Sequence, residues 1–144
     1  RLAGNVVSIV ELVLIVVALI SLVVGAVGIM NTMYTSVLER TKQIGAMKAI
    51  GASSEAVLSL FLIESGLIGL VGGILGIIFG VLSAYIISLI ADSFGIRGLF
   101  SLFSLDFFGF AVILIITFIT GVISGALPAR RAAQMEPAEA LRYE

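Results

Sequence analysis

Residues 12–33 contain no charged side chain, and neither do residues 65–91 or 107–127. Few folds are open to a chain with three such runs. Wound as an α-helix, residues 12–33 rise roughly 33 Å, enough to cross a hydrocarbon core of about 30 Å. The Leu, Ile and Val side chains of this run contribute about −0.3 to −0.6 kcal/mol each, a sum of roughly −4 to −8 kcal/mol in favour of the bilayer. The run 65–91 can cross with tilt or protrude, and 107–127 makes a third span. Composition agrees: 60% of the residues are hydrophobic and 12% charged, where a soluble domain carries about 45–50% and about 25%. Transmembrane β-strands alternate polar with apolar residues, whereas residues 12–24 are almost continuously apolar. A secretory signal peptide is also excluded, because the first apolar run is too long and follows Glu11 rather than a basic segment. The fold class expected is therefore all-α, a polytopic membrane protein with three transmembrane helices.

Basic residues orient the spans. Arg40, Lys42 and Lys48 lie between the first and second, Arg130, Arg131 and Arg142 follow the third, and Arg97 alone lies between the second and third. Loops rich in Lys and Arg stay in the cytoplasm, so the first connection and the tail are expected inside and the N-terminus outside. A start outside the cell without a leader suggests that Arg1 is a cut point, with an earlier transmembrane helix and an external domain left out. The alternative is a small complete protein inserted with its N-terminus outside.

No proline interrupts residues 12–50, so the first helix is expected to run beyond the membrane as a cytoplasmic stalk over 34–51, ending at Gly51, which suits a left-handed stop. Tyr34, Val37, Leu38, Thr41, Ile44 and Gly45 fall on one side of that stalk at helical spacing, a face that calls for a protein partner. Ser53 or Ser54 can cap a following helix, with Glu55 complementing its positive end. That short helix, 53–63, leads back to the second span. Glu64 then sits at the bilayer edge, where a carboxylate is expected to pair with Arg or Lys or to accept from backbone.

Gly72, Gly76 and Gly80 recur every fourth residue, with Gly69 and Gly73 beside them, and the third span carries Gly121 and Gly125. Such stripes let helices approach closely, here either within one subunit or across a dimer. The connection 92–106 is expected on the outer surface, with Asp106 capping the third span, and the tail 128–144 is an anchor or docking arm in which Arg130 and Arg131 reach lipid phosphates. The chain has no Cys and no His and a net charge of −1, which removes thiol and imidazole chemistry and the common zinc sites and gives no footprint for nucleic acid. Ser83, Ser88, Thr117 and Thr120 are too few and too scattered to line a hydrophilic substrate path.

Two stretches carry a resemblance. Residues 39–52 read Glu39-Arg40-Thr41-Lys42-Gln43-Ile44-Gly45-Ala46-Met47-Lys48-Ala49-Ile50-Gly51-Ala52, and the C-terminal part reads Pro128-Ala129-Arg130-Arg131-Ala132-Ala133 followed by Glu136-Pro137-Ala138-Glu139-Ala140-Leu141-Arg142. The first resembles the cytoplasmic signature, and the second the C-terminus, of FtsX-like permease domains of ABC transporters, the class of MacB-type macrolide exporters and lipoprotein-releasing permeases. The resemblance covers essentially the whole chain.

It implies the second, third and fourth transmembrane helices of a four-helix permease in a prokaryotic cell membrane. Glu39, Arg40, Gln43, Gly45, Lys48, Gly51, Ala52 and Ser54 would then form an elbow and coupling helix against an ABC-type ATPase subunit or domain. Two permeases would pair in the lipid bilayer as a dimer and pass ATP-driven motion to an external domain, and in export to a possible extracytoplasmic partner. The chain would bind no cofactor itself, ATP-Mg belonging to the ATPase; no G-x-x-x-x-G-K-[ST] loop occurs in it. Family members commonly carry Glu where this chain has Gln43, which removes a carboxylate but keeps hydrogen bonding. A second reading within the resemblance is a regulator similar to cell-division FtsX, which activates a cell-wall hydrolase and exports nothing.

Overall fold

The computed structural model describes residues 2–95 and 107–136. Among them the chain forms four helices and no strand: α1 (Leu2–Glu39), α2 (Thr41–Ala49), α3 (Ser54–Ser93) and α4 (Phe107–Gln134). Three of these, α1, α3 and α4, are long and apolar enough to cross a membrane. The chain is a multi-pass membrane protein. At 40 residues, α3 would be roughly 60 Å long, about twice the hydrocarbon thickness, so it spans the bilayer and reaches well beyond it.

The stalk differs in detail from its expected form. Instead of one helix running to Gly51, α1 stops at Glu39 and α2 restarts at Thr41, with Arg40 between them at φ −100° and ψ 13°. Backbone bonding continues across the break, from Arg40 N to Ser36 O (3.1 Å) and from Ile44 N to Arg40 O (3.0 Å), and the Thr41 hydroxyl donates back to the carbonyl oxygens of Val37 (3.1 Å) and Leu38 (2.8 Å).

Two further boundaries move, both toward longer helices. The expected division at Glu64 is absent: one helix covers the coupling segment and the second span, because nothing between Ser54 and Ser93 removes a backbone donor or forces a turn. Ser53 caps it, accepting from the Ala56 amide at 3.2 Å, and Glu55 stands in its first turn. Similarly, α4 does not end at Leu127 but runs through Pro128 to Gln134. A proline inside a helix costs about 3 kcal/mol. Here Pro128, Ala129, Ala132 and Ala133 are all buried, and packing on that face holds the helix together beyond the proline. The expected connection lies outside the described residues from 96 to 106, as does the tail from 137 onward.

Burial is uneven along the molecule. No residue from 4 to 32 is buried, so the first span presents itself to lipid almost all round. The core gathers at the opposite end, where the basic residues are: Met33, Val37, Ile44, Val57, Phe61, Ala129 and Ala132 bury one another, with Ile29, Met47, Leu58, Leu62 and Met135 packed around them. Removing each of the larger of these side chains from water contributes about 1.5–3 kcal/mol. Half of the stalk face that called for a partner is buried within the chain, at Val37, Ile44 and Gly45, while Tyr34 and Leu38 stay exposed and Thr41 half-buried.

Candidate functional site

The basic end is built from four helix ends meeting around that core. Polar ties surround it. Arg40 donates from Nη1 to Glu64 Oε1 at 3.2 Å, joining the α1–α2 break to α3 and giving the carboxylate the partner that its place at the bilayer edge demands. Both side chains are partly exposed, so the pair contributes only about 0–1 kcal/mol; its value is geometric. Arg131 donates to the Tyr34 hydroxyl and places its guanidinium 5.1 Å from that ring's centroid. Arg131, one of the two expected lipid anchors, thus also ties α4 to α1, and both it and Arg130 are exposed.

Lys48 is also redirected. Rather than standing free for a partner protein, its Nζ donates to the carbonyl oxygens of Ala133 (2.6 Å) and Met135 (2.8 Å) at the end of α4. Gly45 is buried too, because α2 lays the Ile44–Gly45 side against the core. Of the expected contact residues, Glu39, Gln43, Gly51 and Ser54 are exposed and Ala52 is half-buried.

The turn between α2 and α3 forms the tip of this end. Gly51 has φ +103°, its amide donates to Lys48 O at 3.1 Å, and the Ala52 amide donates to Met47 O at 3.0 Å. Together these bonds make a Schellman stop, which satisfies carbonyls at the end of α2 and reverses the chain in two residues. Just before it stands Ile50, 88% exposed, with Ala46 and Ala49 exposed beside it. Sequence reasoning passed over Ile50. The signal available was its place as the last residue before the glycine stop, at the C-cap of α2, where the helix has ended and its apolar face no longer lies against the core. Below the tip a cleft of about 510 Å³ separates the start of α3 from the end of α4, with Ser54, Glu55, Arg130 and Glu136 on its walls.

Within the spans, four of the seven expected glycines, Gly69, Gly73, Gly121 and Gly125, make the close packing between α3 and α4. Gly69 and Gly73 on α3 meet Thr117 on α4, and Gly121 and Gly125 meet Ser65. Gly66, missed in the sequence, lies three residues before Gly69 on the same face, against Phe118 and Val122. Gly72, Gly76 and Gly80 face open space. A groove of about 450 Å³ does open between α1, α3 and α4, but its hydroxyls are turned inward. Ser21 donates to Val17 O (2.9 Å), Thr117 to Leu114 O (3.1 Å) and Thr120 to Ile116 O (2.8 Å). Hydroxyls satisfied by their own helix leave a dry surface rather than a polar path.

A model of the FtsX-like permease C-terminal domain matches residues 15–137, a stretch that takes in the elbow, the core behind it and all three spans. The chain belongs to that family. Its sequence is 42% identical over 114 residues to an uncharacterised ABC transporter permease of Methanocaldococcus jannaschii, covering 79% of this chain and 28% of the relative. It is 43% identical over 114 residues to the uncharacterised ABC transporter permease YknZ of Bacillus subtilis, covering 79% and 27%. To the macrolide export ATP-binding/permease protein MacB of Chlorobium luteolum it is 44% identical over 123 residues, covering 79% and 16%. The chain therefore spans under a third of the length of these relatives. As an FtsX-like permease domain it is placed in a prokaryotic cell membrane.

Membership makes the elbow stop of this FtsX-like domain worth testing by itself. Nothing lies within 4 Å of a side chain added at Gly51, so only the backbone angle opposes substitution. Gly51→Val is expected to destabilise the domain by about 1–2 kcal/mol, the cost of a left-handed residue with a side chain. Thermal unfolding in detergent, compared with a matched substitution at exposed Gly28, measures it; equal midpoints would show that the stop is not held.

Proposed function

We propose that this chain is the membrane part of an ABC transporter permease that takes up motion from a cytoplasmic ATPase at the elbow tip and passes it along α1 and α3 to the far side of the membrane. The observation that carries this reading is the pairing of an exposed apolar tip, Ile50 at 88% exposure, with a tightly packed core directly behind it. A large aliphatic side chain on a rigid base is what a protein interface anchors on, burying it against a partner's apolar pocket. The tip is supported on α3, which is continuous over Ser54–Ser93, so a displacement at its start reaches its far end through one unbroken helix. The dry groove and self-satisfied hydroxyls favour transmission of force over conduction of a polar substrate.

In this reading the basic end faces the cytoplasm, as the Lys and Arg bias of the loops requires. ATP-Mg is held by the ATPase, either another subunit or a part of a longer polypeptide, as the name of the Chlorobium luteolum relative indicates for that protein. Two permeases pair, and the stripe Gly72, Gly76 and Gly80, open in the single chain, offers the close approach. The direction is export.

A photo-activated benzophenone side chain in place of Ile50 tests the contact. It is expected to cross-link the ATPase in membranes of cells expressing the full transporter, and one at lipid-facing Ile86 is not. Failure to capture ATPase from position 50 would overturn the assignment, whatever position 86 shows.

A further inference from the structure

The elbow tip is attached to more than α3. Lys48, one turn after Ile44 on α2, sends its ammonium to the end of α4, where Ala133 O at 2.6 Å and Met135 O at 2.8 Å accept it. Both acceptors are neutral carbonyls at a helix C-terminus, the negative end of the dipole, where a cation is favoured and where carbonyls lack the next turn's amides. The approach depends on small side chains: Ala129, Ala132 and Ala133 are buried, so α4 presents its backbone rather than bulk. Neighbouring apolar contacts are non-directional, whereas two bonds from one nitrogen to two carbonyls at a helix end set both distance and angle.

We propose that Lys48 is the positioning residue that locks the elbow to α4, so that displacement of the tip moves α2, the start of α3 and the end of α4 as one body. This rests on the reading of the tip as the ATPase contact. In this role Lys48 acts by holding α4 to the element that is pushed. Without it, α4 follows the elbow only through non-directional packing on the core and on α3.

The test uses the complete transporter with its ATPase, in lipid nanodiscs and a cysteine-free background. Spin labels on Ala46→Cys and Gln134→Cys report the joint; labels on Val6→Cys and Phe107→Cys report the far end. With Lys48 present, the joint is expected to show one narrow distance distribution, the same before and after ATP trapping, while the far-end separation shifts. Lys48→Met keeps the aliphatic stem and removes the charge. It is expected to broaden the joint distribution and to shrink the ATP-driven far-end shift by about fivefold or more, the lower end of ordinary coupling factors, with the ATPase still co-purifying. Lys48→Arg restores a cation, and is expected to recover most of the shift, a rescue that mere loss of stability would not produce. A joint that splits into two distances on ATP trapping overturns the proposal, and so does a Lys48→Met transporter with unchanged distributions at both sites. If Lys48→Met fails to reach the membrane, the first of these measurements decides alone. Failure of the ATPase-contact reading is separate: it shows as no cross-linking from position 50, whatever Lys48 does.

Discussion

Gly121→Leu is expected to separate α3 from α4 and to destabilise the domain by about 3 kcal/mol or more, the upper range for side chains forced into a packed site. A Cβ at Gly121 would collide with the carbonyl oxygen of Ser65 and stand 3.1 Å from the Gly66 Cα. Both obstacles are backbone. No rotamer can relieve them, so the helices must move apart, and the contact of Gly69 with Thr117 is lost with them. In lipid the loss is not offset by apolar burial elsewhere, because acyl chains are as apolar as leucine and helix association relies on close packing. Gly76→Leu is the control: it enters open space and replaces a poor helix former with a good one, a gain of about 0.5–1 kcal/mol. Unfolding by denaturing detergent, followed by helix content and protease protection, compares the two. Equal behaviour of the variants would refute the packed face.

The second large effect concerns the tip. Ile50→Asp is expected to weaken binding of the ATPase, added as a separate protein to nanodisc-held permease, by about 30-fold, equivalent to about 2 kcal/mol for an interface anchor. The substitution removes apolar contact and would bury a carboxylate without a partner. The domain itself should not notice, since Ile50 is 88% exposed and belongs to no core contact; its unfolding is expected to match the parent. Ile50→Leu, which keeps the apolar volume, is expected to bind within about threefold of the parent, less than the tenfold of 1.4 kcal/mol. Undiminished binding by the aspartate variant would remove Ile50 from the interface.

How far the residues reveal this arrangement depends on the range of the interaction involved. The turn at Gly51 was legible because a left-handed stop is local: glycine is nearly the only residue that enters it freely, and the observed φ of +103° is that conformation. The serine cap and first-turn Glu55 were legible for the same reason. Glu64 was legible as a carboxylate in need of a cation, and Arg40 supplies it. By contrast, Lys48 read as a contact for an ATPase and Arg131 as a lipid anchor, and each is engaged with a residue more than 80 positions away. Nothing local distinguishes a lysine that meets a partner protein from one that caps a distant helix. The glycines divide in the same way: the sequence marked Gly69 and Gly73 together with Gly72, Gly76 and Gly80, but only the first two, with Gly66, lie on the face used against α4.

By itself the sequence determined the solvent and the element type: three uncharged apolar runs require lipid around them and helices within it, since only a helix satisfies its own backbone where water is absent. It also determined where charge collects and where the chain reverses. Which helix faces meet, which cations are used inside the chain and which apolar residue is left exposed were decided by tertiary structure alone. The reason is physical. In a membrane protein nearly every face of a span is apolar, so hydrophobic pattern does not distinguish inside from outside, and shape and the reach of long side chains make the choice instead.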